Sequence, residues 1–261
     1  MTKKNKSAIQ RRLIPTYIFL IIVSFISVFP LYWMLSAATH TSTDVSRGRI
    51  IPGSYFMENF RNLTSQQPLW RALGNSFFYA ILTTVICLLV CSIAGYGFEV
   101  YHDKWKDRVF SILLLAMMVP QVATMVPLFK MFSKAGLLNT AVGFILPIIS
   151  TPFMIMMFRQ NARSFPVDII EAARIDGLNE VRIFFQMFIP TMKSTYAAAA
   201  VITFMNAWNS YLWPKVIMTD NKAMTMPMLI ANLITGYVTD YGMLMCGVLF
   251  CSIPTMVVFF V

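Results

Sequence analysis

The chain has 261 residues, of which 57% are hydrophobic and only 12% charged, and its mean hydropathy is +0.66. A soluble domain carries roughly 25% charged residues, so this chain cannot cover the surface of one or two water-soluble domains. The net charge of +10 comes without a basic patch interleaved with aromatics, which offers no nucleic-acid surface and fits attraction to anionic lipid headgroups.

The apolar residues fall in long uncharged blocks, and about 20 such residues match the hydrocarbon thickness of a bilayer. Six spans are predicted. The first, 13–37, follows Lys3, Lys4, Lys6, Arg11 and Arg12. It exceeds the roughly 7–15 residues of a signal-peptide core, and Ser36-Ala37-Ala38 is a poor cleavage site, so it reads as a span. Residues 38–71 form a long polar loop with Pro52-Gly53 and Trp70. Spans over 72–98, 109–131 and 138–158 follow, then a charged loop over 159–194. The fifth span covers 195–218, a Met-rich polar stretch runs over 214–239, and the last span covers 240–261, ending on Phe259-Phe260-Val261 with no basic tail. Only helices satisfy their own backbone polar groups in lipid, so the fold class is an all-α integral membrane protein, with 1–261 as a single transmembrane domain.

With the N-terminus inside, inner segments hold 13 of the 21 Lys and Arg and outer segments the other 8. That asymmetry places the N-terminus and the 159–194 loop in the cytoplasm. Cys87, Cys91, Cys246 and Cys251 all lie in apolar blocks with no His or carboxylate beside them, so they read as small buried residues, and no metal site is expected. No P-loop sequence is present, so ATP is not bound by such a motif here. His40 and His102 fall on opposite sides and cannot form one catalytic site. No charge sits mid-span, which argues against a proton- or sodium-coupled carrier working alone.

The inner loop carries the strongest local signals. Pro166 suits a first turn, Asp168 and Glu171 suit a helix N-terminus, and Gly177 suits a left-handed C-terminal turn. Asn179 is placed to cap a second short helix that Pro190 is expected to close. Ala172 and Ala173 with Ile169, Ile170 and Ile175 give a small-residue face with an apolar rim. Such a helix either seats in a groove on a partner or anchors the loop among headgroups; the residues alone leave both open.

The stretch Glu171-Ala172-Ala173, three residues, Gly177, nine residues, then Met187-Phe188-Ile189-Pro190 resembles the signature of bacterial ABC-importer permease subunits, which reads E-A-A, three residues, G, nine residues, I-x-L-P. Further matches are similar to the carbohydrate subgroup and its maltose-permease-like second subunit: Asp176-Gly177, Asn75-Ser76, Tyr96, Pro120, Pro127, Gly136-Leu137, Asn139-Thr140, Trp208-Asn209, Leu212, Pro214 and Thr225-Met226-Pro227. The resemblance implies a permease of the bacterial plasma membrane that is not itself an enzyme. It implies a second, homologous permease as partner, two ATPase subunits that hold the ATP and Mg, and an extracytoplasmic solute-binding protein. It further implies that Glu171, Ala172, Ala173, Asp176 and Gly177 form a coupling helix against an ATPase, and that the solute is a sugar. A family tail that reaches the ATPase has no counterpart in this sequence. The same loop would serve a non-sugar solute such as glycerol phosphate or a peptide.

Amides beside aromatic rings suit sugar hydroxyls and C–H faces. Asn206, Trp208, Asn209 and Tyr211, with Gln121 and Asn75, are therefore the candidates for the solute path, with helix–helix bonding and interfacial aromatic belts as the competing roles. The charge asymmetry gives the first test. Ser46→Cys and Asn221→Cys should react with membrane-impermeant thiol reagents on intact cells, and Asn179→Cys should not; labelling at position 179 would reverse the orientation.

Overall fold

The computed structural model describes residues 3–235 and 239–260, with side chains from residue 13 onward. Among the described residues there are no strands. Helices follow in the order α1 (Lys3–Ala37), α2 (Ser42–Ser46), α3 (Phe56–Gln66), α4 (Leu69–Val100), α5 (Lys104–Ala116), α6 (Gln121–Lys134), α7 (Ala141–Ile145), α8 (Pro152–Ala162), α9 (Val167–Ile175) and α10 (Glu180–Ile183). A π-helical turn (Phe184–Phe188) leads into α11 (Ile189–Thr191), α12 (Lys193–Trp208) and α13 (Leu212–Ile217). A 3-10 turn (Asn221–Ala223), α14 (Met226–Ile234) and α15 (Tyr241–Phe260) complete the order.

Among the described residues three helices are long and apolar enough to cross a membrane: Leu13–Ala37 within α1, α4 and α15. The other three expected spans differ from the continuous helices predicted. The third is α5 plus α6, bent by 101°. Pro120 sits at the bend in extended geometry (φ −61°, ψ 130°), and a proline disfavours the helical region for the residue before it. The fourth is divided into α7 and α8, with Pro152 opening α8. The fifth is divided at 209–211 into α12 and α13. At 16 residues, α12 rises only about 24 Å, short of a hydrocarbon core of about 30 Å. Val261, the last residue of the sixth expected span, lies outside the described residues.

The chain folds as two compact units. The first contains the chain up to Pro68 and Ile230–Pro254. Here the 38–71 loop is structured rather than a plain connection. Buried Asn59 of α3 donates from Nδ2 to the carbonyls of Ala38 and His40, both at 2.9 Å. Ser42 Oγ donates to Thr239 O at 3.2 Å and accepts from the Tyr241 amide at 3.0 Å. Phe60 packs on Phe250 with ring centroids 5.4 Å apart.

The second unit contains Leu69–Leu229 and the residues from Thr255. Its axis is α4, which packs against α8 and α12. Cys87 and Cys91 are buried there among Met154, Ile155, Phe158 and Ala199, as the cysteine pattern led us to expect; Cys91 Sγ lies 3.5 Å from the Ile149 carbonyl. Trp213 of α13 donates to Gly143 O of α7 at 3.1 Å, so it fastens two short helices.

Gly95 fixes how closely α4 and α8 approach. A Cβ there would lie 2.6 Å from Phe158 Cβ and 2.7 Å from the Arg159 backbone nitrogen, whereas one at Gly74 would meet nothing within 4 Å. Gly95→Val should therefore destabilise the protein by about 1–3 kcal/mol through overpacking, read as a lowered melting temperature in detergent. Gly74→Ala is the control and should melt like the parent protein or slightly above it.

Candidate functional site

The 159–194 loop builds a compact joint on the second unit. Pro166 precedes α9 in extended geometry, and Asp168 lies in the first turn. At the far end the Leu178 amide donates to Ala173 O at 3.0 Å and the Gly177 amide to Arg174 O at 3.1 Å. These are the paired bonds of a Schellman turn, which needs a left-handed residue, and Gly177 has φ +81°. Asn179 Oδ1 then accepts from the Arg182 amide at 2.9 Å and caps α10. Stop, turn and restart thus lie where the sequence placed them.

Two details differ from the expectation. Ala172 and Ala173 do not share one face. Ala173 and Ile170 are buried in a cluster with Tyr96, Phe165, Phe184 and Phe188. Glu171, Ala172, Ile175 and Asp176 point outward, and Ile175 is 87% exposed. The helix thus has an inner face seated on its own protein and an outer face that is small, apolar and acidic. Pro190 also does not close the second helix. The Ile189 amide reaches back to Phe184 O across the π-turn, and Met192 and Tyr196 continue the ladder toward α12. Proline cannot donate its own bond, and the wider turn before it absorbs the mismatch.

Charged residues that the sequence reading did not single out hold the joint. Arg159 is 6% exposed. Its guanidinium meets Glu99 at 3.2 Å and Asp107 at 2.6 Å and lies over the Phe110 ring at 4.3 Å. Arg163 reaches the same Glu99 carboxylate oxygen at 3.5 Å. These pairs join the ends of α4, α5 and α8. The available signal was two arginines four apart at the end of an apolar run, facing the lone acid at the end of the second span. Farther along, Arg174 pairs with Glu180 at 2.7 Å, and Tyr101 Oη donates to the other Glu180 oxygen. The bonds from Arg174 and then Tyr101 hold the Glu180 carboxyl below its usual range. The contribution of that lowered carboxyl is therefore present through neutral pH and is lost only as pH falls through the lowered value. Burial, then Glu180, pushes the Tyr101 phenol up.

The solute-path candidates separate into two groups. Asn206, Asn209 and Tyr211 are exposed around the break after α12, and Gln121 is exposed at the α5–α6 bend. Asn209 Nδ2 donates to its own helix at Met205 O, 2.9 Å away. Trp208 is only 1% exposed and packs between Phe77 and Phe204, so it belongs to the core. Asn75 is also structural: its Nδ2 donates to the carbonyls of Lys222 and Met224 at 2.9 and 2.8 Å. Next to it, Ser76 Oγ accepts from the Met226 amide at 2.8 Å. Among the described residues no group of three or more metal-ligating side chains occurs.

The sequence model of the family described as "Binding-protein-dependent transport system inner membrane component" matches residues 91–261, which includes the joint and all three broken spans. The chain belongs to this family. It is a transport permease of the inner membrane rather than an enzyme. Along its full length it is similar to the lactose transport system permease protein LacG of Rhizobium radiobacter, at 40% identity over 256 residues, covering 97% of this chain and 94% of the relative. It is 35% identical over 242 residues to the arabinooligosaccharides transport system permease protein AraQ of Halalkalibacterium halodurans, covering 91% and 87%. Its fold matches a chain in the crystal structure of a bacterial ABC transporter involved in the import of alginate, with a TM-score of 0.86 at 18% identity, covering 99% of this chain and 96% of that one.

The two bonds made by Asn75 separate a structural amide from one that meets solute. In this permease, Asn75→Ala leaves the Lys222 and Met224 carbonyls without their donor and should cost about 1 kcal/mol, seen as a lower melting temperature. Asn209→Ala should melt as the parent does and alter the apparent affinity for uptake. The opposite pattern would exchange their roles.

Proposed function

We propose that this chain is the transmembrane subunit of an ATP-binding-cassette importer, forming with a second, homologous permease the path for a sugar delivered by an extracytoplasmic binding protein. The observation that carries this is the outward face of α9, closed by its Schellman turn, in a member of this permease family. A nine-residue helix with small, apolar and acidic side chains turned away from its own protein is built to enter a groove on a partner. That feature favours docking on an ATPase over anchoring among headgroups. Sugar as the solute is supported by full-length similarity to permeases named for lactose and arabinooligosaccharides.

In this reading the N-terminus and the 159–194 loop are cytoplasmic, and the chain makes six crossings, three of them through broken helices. The two compact units act together as one permease domain. Two ATPase subunits bind ATP and Mg and hydrolyse the nucleotide. Glu171, Ala172 and Asp176 meet the ATPase, while Ala173 and Gly177 shape the helix that presents them. Closure of the ATPases shifts the permease pair between inward- and outward-open states, which is alternating access between two global conformations. Asn206, Asn209, Tyr211 and Gln121 lie at helix breaks. Irregular backbone is tolerated at membrane depth where it is buried in protein or lines a water-filled cavity, and broken helices mark solute sites in other transporters. Trp208 and Asn75 support that path from behind.

Gly177 supplies the decisive variant. A Cβ there meets nothing within 4 Å, so the obstacle is the left-handed backbone alone, worth roughly 1 kcal/mol or more for a β-branched residue. In the reconstituted complex, Gly177→Val should insert normally but lose stimulation of ATP hydrolysis by loaded binding protein. Gly177→Asn, which tolerates the left-handed region, should keep most of it. Running the parent complex with sugars, glycerol phosphate and peptides identifies the solute class. Stimulation by glycerol phosphate alone would replace the sugar reading, and full stimulation in Gly177→Val would return α9 to a lipid anchor.

A further inference from the structure

A nine-residue helix is too short to hold itself in water, and α9 is flanked by turns on both sides, one of them hinged at Gly177. Its orientation must come from what it touches. Beneath it, Ile170 and Ala173 pack against Tyr96 of α4 and against Phe184 and Phe188 of the π-turn. Tyr96 lies 4.8 Å from the Phe188 ring and 5.4 Å from the Phe184 ring. This apolar seat prevents α9 from lifting away, but ring contacts alone do not fix its angle.

The polar side of the joint does. Arg174 stands in the last turn of α9, Glu180 opens α10, and Tyr101 follows directly on α4. The Glu180 carboxylate uses both oxygens, Oε1 toward Arg174 Nε at 2.7 Å and Oε2 toward the Tyr101 hydroxyl. The Arg174 guanidinium also lies 6.0 Å from the Tyr101 ring centroid. The Arg174–Glu180 pair spans the Gly177 hinge, so it closes the one place where the loop could swing. Tyr101 is fastened in turn, because Lys106 donates to its carbonyl and to Asp103 at 2.8 Å. Arg174 and Glu180 are each more than 40% exposed. Such a pair adds little to overall stability, but two charge-assisted bonds on one carboxylate fix an angle.

We propose that Tyr101, Arg174 and Glu180 are positioning residues that tie α9 to the end of α4, so that displacement of α9 is delivered to that span. The inference rests on the reading of α9 as the ATPase-docking helix. It adds a route: the force enters at Glu171–Asp176, crosses the Gly177 hinge through the Arg174–Glu180 pair, and reaches α4 through the Tyr101 hydroxyl. From there it acts on the helix that packs along both α8 and α12, without passing through the π-turn.

The test uses the complete reconstituted complex and variants Tyr101→Phe, Glu180→Gln and the two together, with the exchange Arg174→Glu plus Glu180→Arg. Tyr101→Phe, Glu180→Gln and their double lie outside α9 and leave its docking face intact, whereas the charge exchange alters Arg174 within α9 and is read only for recovery of stimulation. The ATPase subunits should therefore co-purify, and basal hydrolysis should stay within about twofold of the parent. Stimulation by loaded binding protein should fall roughly three- to tenfold in each single variant, by loss of a charge-assisted bond at a part-exposed site. The double variant should be no worse than the poorer single, because both remove the same link. The charge exchange should recover part of the stimulation that Arg174→Glu alone abolishes. Parent-level stimulation in Glu180→Gln, or losses that multiply in the double variant, would overturn the tie. The underlying reading fails separately: it falls if Gly177→Val keeps full stimulation, whereas loss in Gly177→Val with none in Glu180→Gln removes only the tie.

Discussion

The larger unit is organised by one seam between α4 and α8. Residues 87, 91, 95 and 99 of α4 recur every four positions and so share a face. Cys91 sets its sulfur against the carbonyl of Ile149, Gly95 admits Phe158 and the Arg159 backbone, and Glu99 receives Arg159 and Arg163. The stripe begins with small apolar residues and ends in a carboxylate. Within lipid, where no hydrophobic force drives helices together, close approach through small side chains supplies the packing. At the end of the span the same face changes to ionic contact, with Arg159 withdrawn from solvent and satisfied by two carboxylates. Removing both acids would strand a buried charge, which is costlier than the pairs are stabilising. The seam thus fixes where α8 ends, and with it where the 159–194 loop begins.

Much of the joint could be read from the sequence because its signals are local. A glycine eleven residues after a proline, an asparagine two positions later and acids in a first turn each act within a few residues of themselves. The geometry of Gly177 and the cap made by Asn179 followed from chemistry that no distant residue overrides. The division of the two alanines did not follow. Which of Ala172 and Ala173 faces inward depends on Tyr96 and Phe188, about 75 residues before and 15 after them. Pro190 misled for a related reason: a proline marks a perturbed helix, but whether the chain stops or widens into a π-turn depends on what holds the next segment in line.

The broken spans show a different limit. Hydropathy is an average over a window, and α5 with α6, or α12 with α13, remain apolar across the interruption. The average reports that the segment belongs in the bilayer and says nothing of its continuity. Asn75 and Trp208 show what proximity in sequence leaves out. A polar side chain in an apolar run suggests solute, yet Asn75 is used by the carbonyls of Lys222 and Met224, more than 140 residues away. Trp208 sits one residue from an exposed amide and is itself enclosed by two rings. Neighbours along a helix 100° apart face different worlds, so a cluster in sequence is not a cluster in space.

The π-turn at Phe184–Phe188 carries one residue more per turn than an α-helix would use. Held in place by Pro190, that surplus is stored length. Were the turn to tighten to α-helical bonding, the segment beyond it would advance by one register, about 100° of rotation and 1.5 Å of travel. The side chains of α12 would sweep a new sector without any bond in α12 itself being broken. A chain with this arrangement contains a screw thread between the loop and the span that follows it, wound by a single residue.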